Sequence, residues 1–231
     1  MTALLIIFAK EPVPGQVKTR FSPPLSGEDA ARVYQAFLED ILEEMGRLPE
    51  SRLALACSPE TAWPFFKKLA PAGALVFPQE GPGLGERLAQ AFDLAFTLGY
   101  ETVLIRNTDS PDLPGELVLA AARTLESGPA DLVLGPNPDG GYYLVGLKKP
   151  QPELFQGISW STATVLGDTL TRAHILHMAV HLLPPWPDID TIADLRAFAA
   201  RPPLPNAPGH RSYLCVRELL AGLPTKLKTE N

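Results

Sequence analysis

A mostly parallel sheet with helices on both faces is the α/β architecture this sequence predicts, and three observations carry it. Short continuous apolar runs such as Ala3 to Phe8 recur, the pattern of strands buried on both faces. Helical stretches with one apolar face alternate with those runs, which implies parallel strands joined by crossover helices. The 231 residues suffice for one large core and do not demand a second.

Taken in order, the first strand, Ala3 to Phe8, runs into a loop ending at Lys18-Thr19-Arg20. Pro12 and Pro14 stiffen that loop, and Gly15 lets its backbone approach a ligand closely. In open α/β sheets ligands bind outside the carboxyl ends of strands, so this loop reads either as a phosphate cradle or as a turn with solvated cations. It is not a Walker A loop, because the single glycine stands three residues before Lys18. Ser26, with Asp29 three residues on, opens a helix whose apolar face runs from Ala30 to Met45. A strand over Leu53 to Cys57 follows, then a helix opened by Ser58-Pro59-Glu60 and a strand over Ala74 to Phe77. The run Gly81-Pro82-Gly83-Leu84-Gly85 enters a helix that stops at Gly99. Beyond the strand Thr102 to Ile105, a helix runs from Leu113-Pro114-Gly115 to about Leu125, and Asp131 to Leu134 reads as a strand. Gly141 to Leu147 is a β-rich strand after the turn signal Asn137-Pro138-Asp139-Gly140, placed to pair antiparallel with a neighbour. The spacing then predicts a helix over Ser161 to His177, a strand over His177 to Leu183 and a helix over Thr191 to Ala200. A domain over 1–200 is thus followed by a proline-rich extension over 201–231, with a short helix near Val216 to Leu220 and a polar, disordered end from Thr225.

The candidate chemistry gathers at strand ends. Asp109, in Asn107-Thr108-Asp109-Ser110-Pro111-Asp112, lands at the same edge as the Lys18 loop. There it either supplies a carboxylate oxygen to Mg²⁺ beside a phosphate or caps its own turn, while Asp112 reads equally well as serving the next helix. Asp188 and Asp190, separated by one residue, can point the same way from an extended segment and share one cation; the alternative makes Asp190 a helix cap. Asp139-Gly140-Gly141-Tyr142 is either a ligand-approach segment with a tyrosine platform or a plain hairpin turn. Glu86 and Arg87 follow a glycine-rich turn of low specificity.

The net charge of −6 argues against a general nucleic-acid binder, and no apolar run approaches a transmembrane span, so a cytoplasmic protein is expected. Cys57 and Cys215 read as reduced. His174, His177 and His181 lack the companions of a zinc set, and no GxSxG elbow is present.

Together the segments FAKEPVPGQVKTR, GLGER, TDSPDLP, LGPNPDGGYYLVGL, WST and DIDT stand in the order of a known family. The chain resembles the bacterial glycosyltransferases associated with arsenosugar biosynthesis, formerly a domain of unknown function, within the nucleotide-diphospho-sugar transferase superfamily. That resemblance implies a single-domain GT-A fold and a metal-dependent glycosyltransferase, with a nucleotide-diphosphate sugar as donor and a small molecule as acceptor. It implies Mg²⁺ or Mn²⁺ on Asp109 and Asp190, and Asp139 and Asp188 as catalytic carboxylates. Lys10, Gly15, Lys18, Arg20, Glu86, Arg87, Gly140, Gly141 and Tyr142 would bind the nucleotide sugar. The pattern is also similar to the molybdenum-cofactor and phospholactate guanylyltransferases, which implies as the alternative a nucleotidyltransferase that takes an NTP and releases pyrophosphate. Where the family usually has glycine two residues before the first aspartate, this chain has Asn107, and Phe21 replaces a common leucine.

Overall fold

The computed structural model describes residues 3–49, 51–201 and 207–223. The expectations for the polar end and for 202–206 of the proline-rich run lie outside the described residues. Among the described residues, seven strands form one sheet in the order β3-β2-β1-β4-β6-β5-β7. They are β1 (Ala3–Lys10), β2 (Ser51–Ser58), β3 (Leu75–Pro78), β4 (Val103–Arg106), β5 (Leu132–Pro136), β6 (Tyr142–Leu147) and β7 (Val180–Leu182). Only β6 runs against the others, paired antiparallel to β4 and to β5. The mostly parallel mixed sheet is therefore the one expected, with the reversal at the tyrosine-rich strand.

Strand alternation divides the core. Leu5, Ile7 and Ala9 of β1 face α1 (Gly27–Gly46), α2 (Trp63–Leu69) and α4 (Gly115–Ser127). Leu4 and Ile6 face α3 (Leu84–Thr97) and α5 (Val165–Ile175). A third cluster forms where Val33 and Phe37 of α1 meet α6 (Ile192–Ala199) and α7 (His210–Ala221), with Phe37, Phe198 and Tyr213 packed edge to face.

Three elements differ from expectation. The helix after Ser161 begins only at Val165, because Ser161 takes a left-handed backbone with φ 64° and 161–164 form a turn. His177, also left-handed, ends that segment, so β7 is confined to Val180–Leu182. The short helix near Val216 is the 12-residue α7. Its start is capped from outside: Asp40 on α1 accepts hydrogen bonds from Ser212 N (2.7 Å) and Ser212 Oγ (2.6 Å). A cap lent by a distant helix leaves no local sequence signal.

Candidate active site

The loops after β1 and β4 and the segment after β7 line a cleft of about 490 Å³ at the carboxyl edge of the sheet. Lys10, Lys18, Arg20, Asp109 and Asp190 all line it. Its floor is tied by Tyr34 of α1, whose buried hydroxyl accepts from Lys10 N (3.0 Å) and pairs with Thr108 Oγ1 (2.8 Å). Burial pushes that phenol up to about 12.

Lys18 is the centre of charge. Its ammonium donates to Asp109 Oδ1 at 2.5 Å, Asp190 Oδ1 at 2.7 Å and the Ile189 carbonyl at 2.7 Å, which uses all three of its N–H groups. The side chain is 5% exposed, and the rings of Phe21 and Phe37 lie within 5.8 Å of Nζ. Burial alone would lower its pKa, but the charges of Asp109 and Asp190 outweigh burial and hold it above the ordinary lysine value.

Asp188 is oriented from two loops, the one after β4 and the one joining β5 to β6. Ser110 Oγ donates to its Oδ1 (2.8 Å), Asn137 Nδ2 to its Oδ2 (2.6 Å), and Asn107 Nδ2 to both oxygens (3.2 Å each). Burial and then the Asp109 charge push its pKa up to about 6, against the pull of those hydrogen bonds. Asn107, the departure from the family pattern, thus joins the cradle of Asp188, and its Oδ1 accepts from Asp109 N (3.3 Å). Carboxylate oxygens of Asp139, Asp188 and Asp190 lie within 4.8 Å of one another. An all-oxygen donor set suits a hard divalent cation.

The extended run carrying Asp188 and Asp190 is pinned along its length. Leu183 N donates to Leu134 O, Trp186 N to Pro136 O and Ile189 N to Asp109 O. Tyr143 Oη donates to Pro184 O (3.0 Å) and Trp186 Nε1 to Asp112 Oδ1 (3.1 Å). Asp112 therefore anchors this run rather than the next helix. Asp190 is not the cap of α6 either: Thr191 and Asp194 form a reciprocal capping box there.

Other expected residues sit elsewhere. Gly15, at φ 75°, shapes the first loop, and the start of α1 packs beneath it at Gly27. Of the run at the start of α3, Leu84 lines the cleft, whereas Arg87 lines a smaller one of about 230 Å³ between β3 and α3, and Glu86 is exposed. Gly140 and Gly141 serve loop packing. Gly140 lies against Ala163 and accepts from Leu166 N (2.8 Å), and Gly141 N donates to Asn137 Oδ1 (2.7 Å). Tyr142 packs into the core beneath α3 and α5, its buried hydroxyl unpaired among the described residues.

Arg106 went unnoticed in the sequence. It is 1% exposed, donating from Nε to Asn107 O (3.1 Å) and from Nη2 to Ser110 O (2.7 Å), so it draws the carbonyls of the Asp109 loop inward. Burial lowers its pKa to about 10, countered by Asp188, Asp109 and Asp112, so it stays charged. A lone arginine closing an apolar strand was the available signal.

Residues 41–162 match the model of a family described as "Uncharacterized protein conserved in bacteria (DUF2064)". The chain is similar to a "putative nucleotide-diphospho-sugar transferase" from Desulfovibrio desulfuricans G20, with 34% identity, 96% of each chain covered and a TM-score of 0.85. It shares its fold with the 4-diphosphocytidyl-2C-methyl-D-erythritol synthase of Anaerococcus prevotii, at 13% identity, 87% of this chain and 96% of that one covered, TM-score 0.59. A cytidylyltransferase from Leptospira borgpetersenii is similar at 13% identity, with 96% and 94% covered and a TM-score of 0.53. No curated protein matches the chain.

Proposed function

The chain belongs to the DUF2064 family, and from that membership and the cleft we propose that it is a metal-dependent glycosyltransferase taking its sugar from a nucleotide diphosphate. One observation carries the reading: the cations of the first loop share a cleft with Asp109 and Asp190, and the Asp190 carboxylate lies within 4.8 Å of those of Asp139 and Asp188. Arg20 and Lys10, exposed on its wall, and Lys18 beside them would neutralise the diphosphate. Asp190, beside the oriented Asp188, would hold Mg²⁺ or Mn²⁺, which would supply charge stabilisation for the leaving diphosphate. Asp139 completes that group from the solvent side and is the carboxylate an acceptor reaches to give up its proton. All of these residues lie within 1–200; beyond it, α7 packs on α1. No helix among the described residues is long and apolar enough to cross a membrane.

A second reading uses the same groups. Because the cations and carboxylates would engage the polyphosphate rather than the sugar, they serve equally for attack on the α-phosphate of an NTP. Incubation with Mn²⁺ or Mg²⁺ and a panel of nucleotide sugars and NTPs decides between the two. Release of nucleoside diphosphate with a transferred sugar is the expected result. Pyrophosphate release alone would sink the glycosyltransferase reading.

A further inference from the structure

We propose that Lys18 is an exchangeable cation: it holds Asp190, one carboxylate of the three-aspartate group, and gives it up when a divalent cation binds, which releases its ammonium toward the diphosphate. This rests on the metal reading above. Asp190 belongs to two sets at once. Its Oδ1 is bound to the Lys18 ammonium at 2.7 Å, and its carboxylate lies within 4.8 Å of those of Asp139 and Asp188. A divalent cation held by those three aspartates would therefore stand a few ångströms from a positive charge, and the two repel. The ammonium is already saturated by Asp109, Asp190 and Ile189, and buried over Phe21 and Phe37. In that position it has no N–H left for a phosphate oxygen. Binding of metal and of diphosphate are then coupled in both directions, since whatever draws Lys18 away raises the affinity of the site for the metal. Asp109, held by Lys18 outside the three-aspartate group, keeps the lysine near the cleft during the exchange.

The first test uses the unmodified chain and Mn²⁺ alone. Brief acetylation of lysines, read by mass spectrometry, should leave Lys18 protected without metal and label it readily at saturating Mn²⁺. Lys10, exposed in the same cleft, should label alike in both. The second test measures Mn²⁺ affinity from the electron paramagnetic resonance of the free ion. Lys18→Met should bind Mn²⁺ roughly tenfold more tightly than the parent chain. Lys18→Arg, which keeps the charge, should not. Lys18 labelling indifferent to bound Mn²⁺, or equal affinity in the parent and Lys18→Met, overturns the exchange while leaving the metal reading intact. Failure of every form to bind Mn²⁺ overturns both. The labelling result needs no variant, so it stands even if Lys18→Met does not fold.

Discussion

Replacing Gly140 with alanine tests whether the Asp139 turn is held by packing rather than by a ligand. The residue has φ 91°, and an ideal Cβ there would lie 2.0 Å from the Ala163 carbonyl oxygen and 2.6 Å from its carbon. The positive φ alone costs about 1–2 kcal/mol for a residue with a Cβ. Relieving the overlap requires backbone to retreat by more than about 1 Å, since carbon and oxygen normally approach no closer than about 3.3 Å, and overpacking of this kind costs about 1–3 kcal/mol. Loss of the Leu166 N to Gly140 O bond, 2.8 Å long, removes roughly another 1 kcal/mol at the start of α5. The total of about 3–6 kcal/mol corresponds to a Tm lower by on the order of 10 °C for a domain of this size. Gly99→Ala is the control, because φ is 89° and nothing lies within 4 Å of its would-be Cβ, so it should lose only a few degrees. Scanning calorimetry of both variants decides; equal losses would refute the overlap argument. Mn²⁺ affinity should also fall in Gly140→Ala alone, since Asp139 rides on the displaced turn.

Asp40→Ala should cost about 2–4 kcal/mol, because Ser212 N and Oγ lose a buried acceptor and Gly209 gives α7 no side-chain cap. Hydrogen exchange should then accelerate across His210–Ala221 while β1 stays protected. Asp188 makes the metal-free fold sensitive to pH. Its folded pKa of about 6 lies above the unfolded value, so the fold favours the protonated acid, and that stability is lost as pH rises through about 6. Between pH 4 and 7 in EDTA, the unfolding free energy of the parent chain from urea titrations should fall relative to that of Asp188→Asn by on the order of 3 kcal/mol, and parallel curves would contradict the assignment.

The strands and most helices were legible because a parallel sheet covered on both faces demands unbroken apolar runs, such as Ala3 to Phe8 in β1 and Thr102 to Ile105 in β4. Strand ends also marked the edge at which Lys18, Asp109 and Asp190 meet. What stayed hidden depends on register between distant segments. Asn107, Asn137 and Asp188 follow three different strands, and only the order β4-β6-β5-β7 brings their side chains together. Tyr142 looked like a platform for a sugar, but alternation along β6 sends it to the face of α3 and its neighbour Tyr143 to the opposite one. Lys18 was expected on phosphate. A buried ammonium must be met by oxygens, and two aspartates and a carbonyl of the protein supply them.

The reversed direction of β6 gives the chain one place to change its reach. Because β5 and β6 run antiparallel, they join at the carboxyl edge through residues 137–141, with no crossover helix between them. Residues inserted at the exposed tip of that join, around Pro138 and Asp139, would extend from the carboxyl edge of the sheet, beside the three-aspartate group, while every strand kept its partner. The hairpin is thus an adjustable eave, free to lengthen without rebuilding the house beneath it.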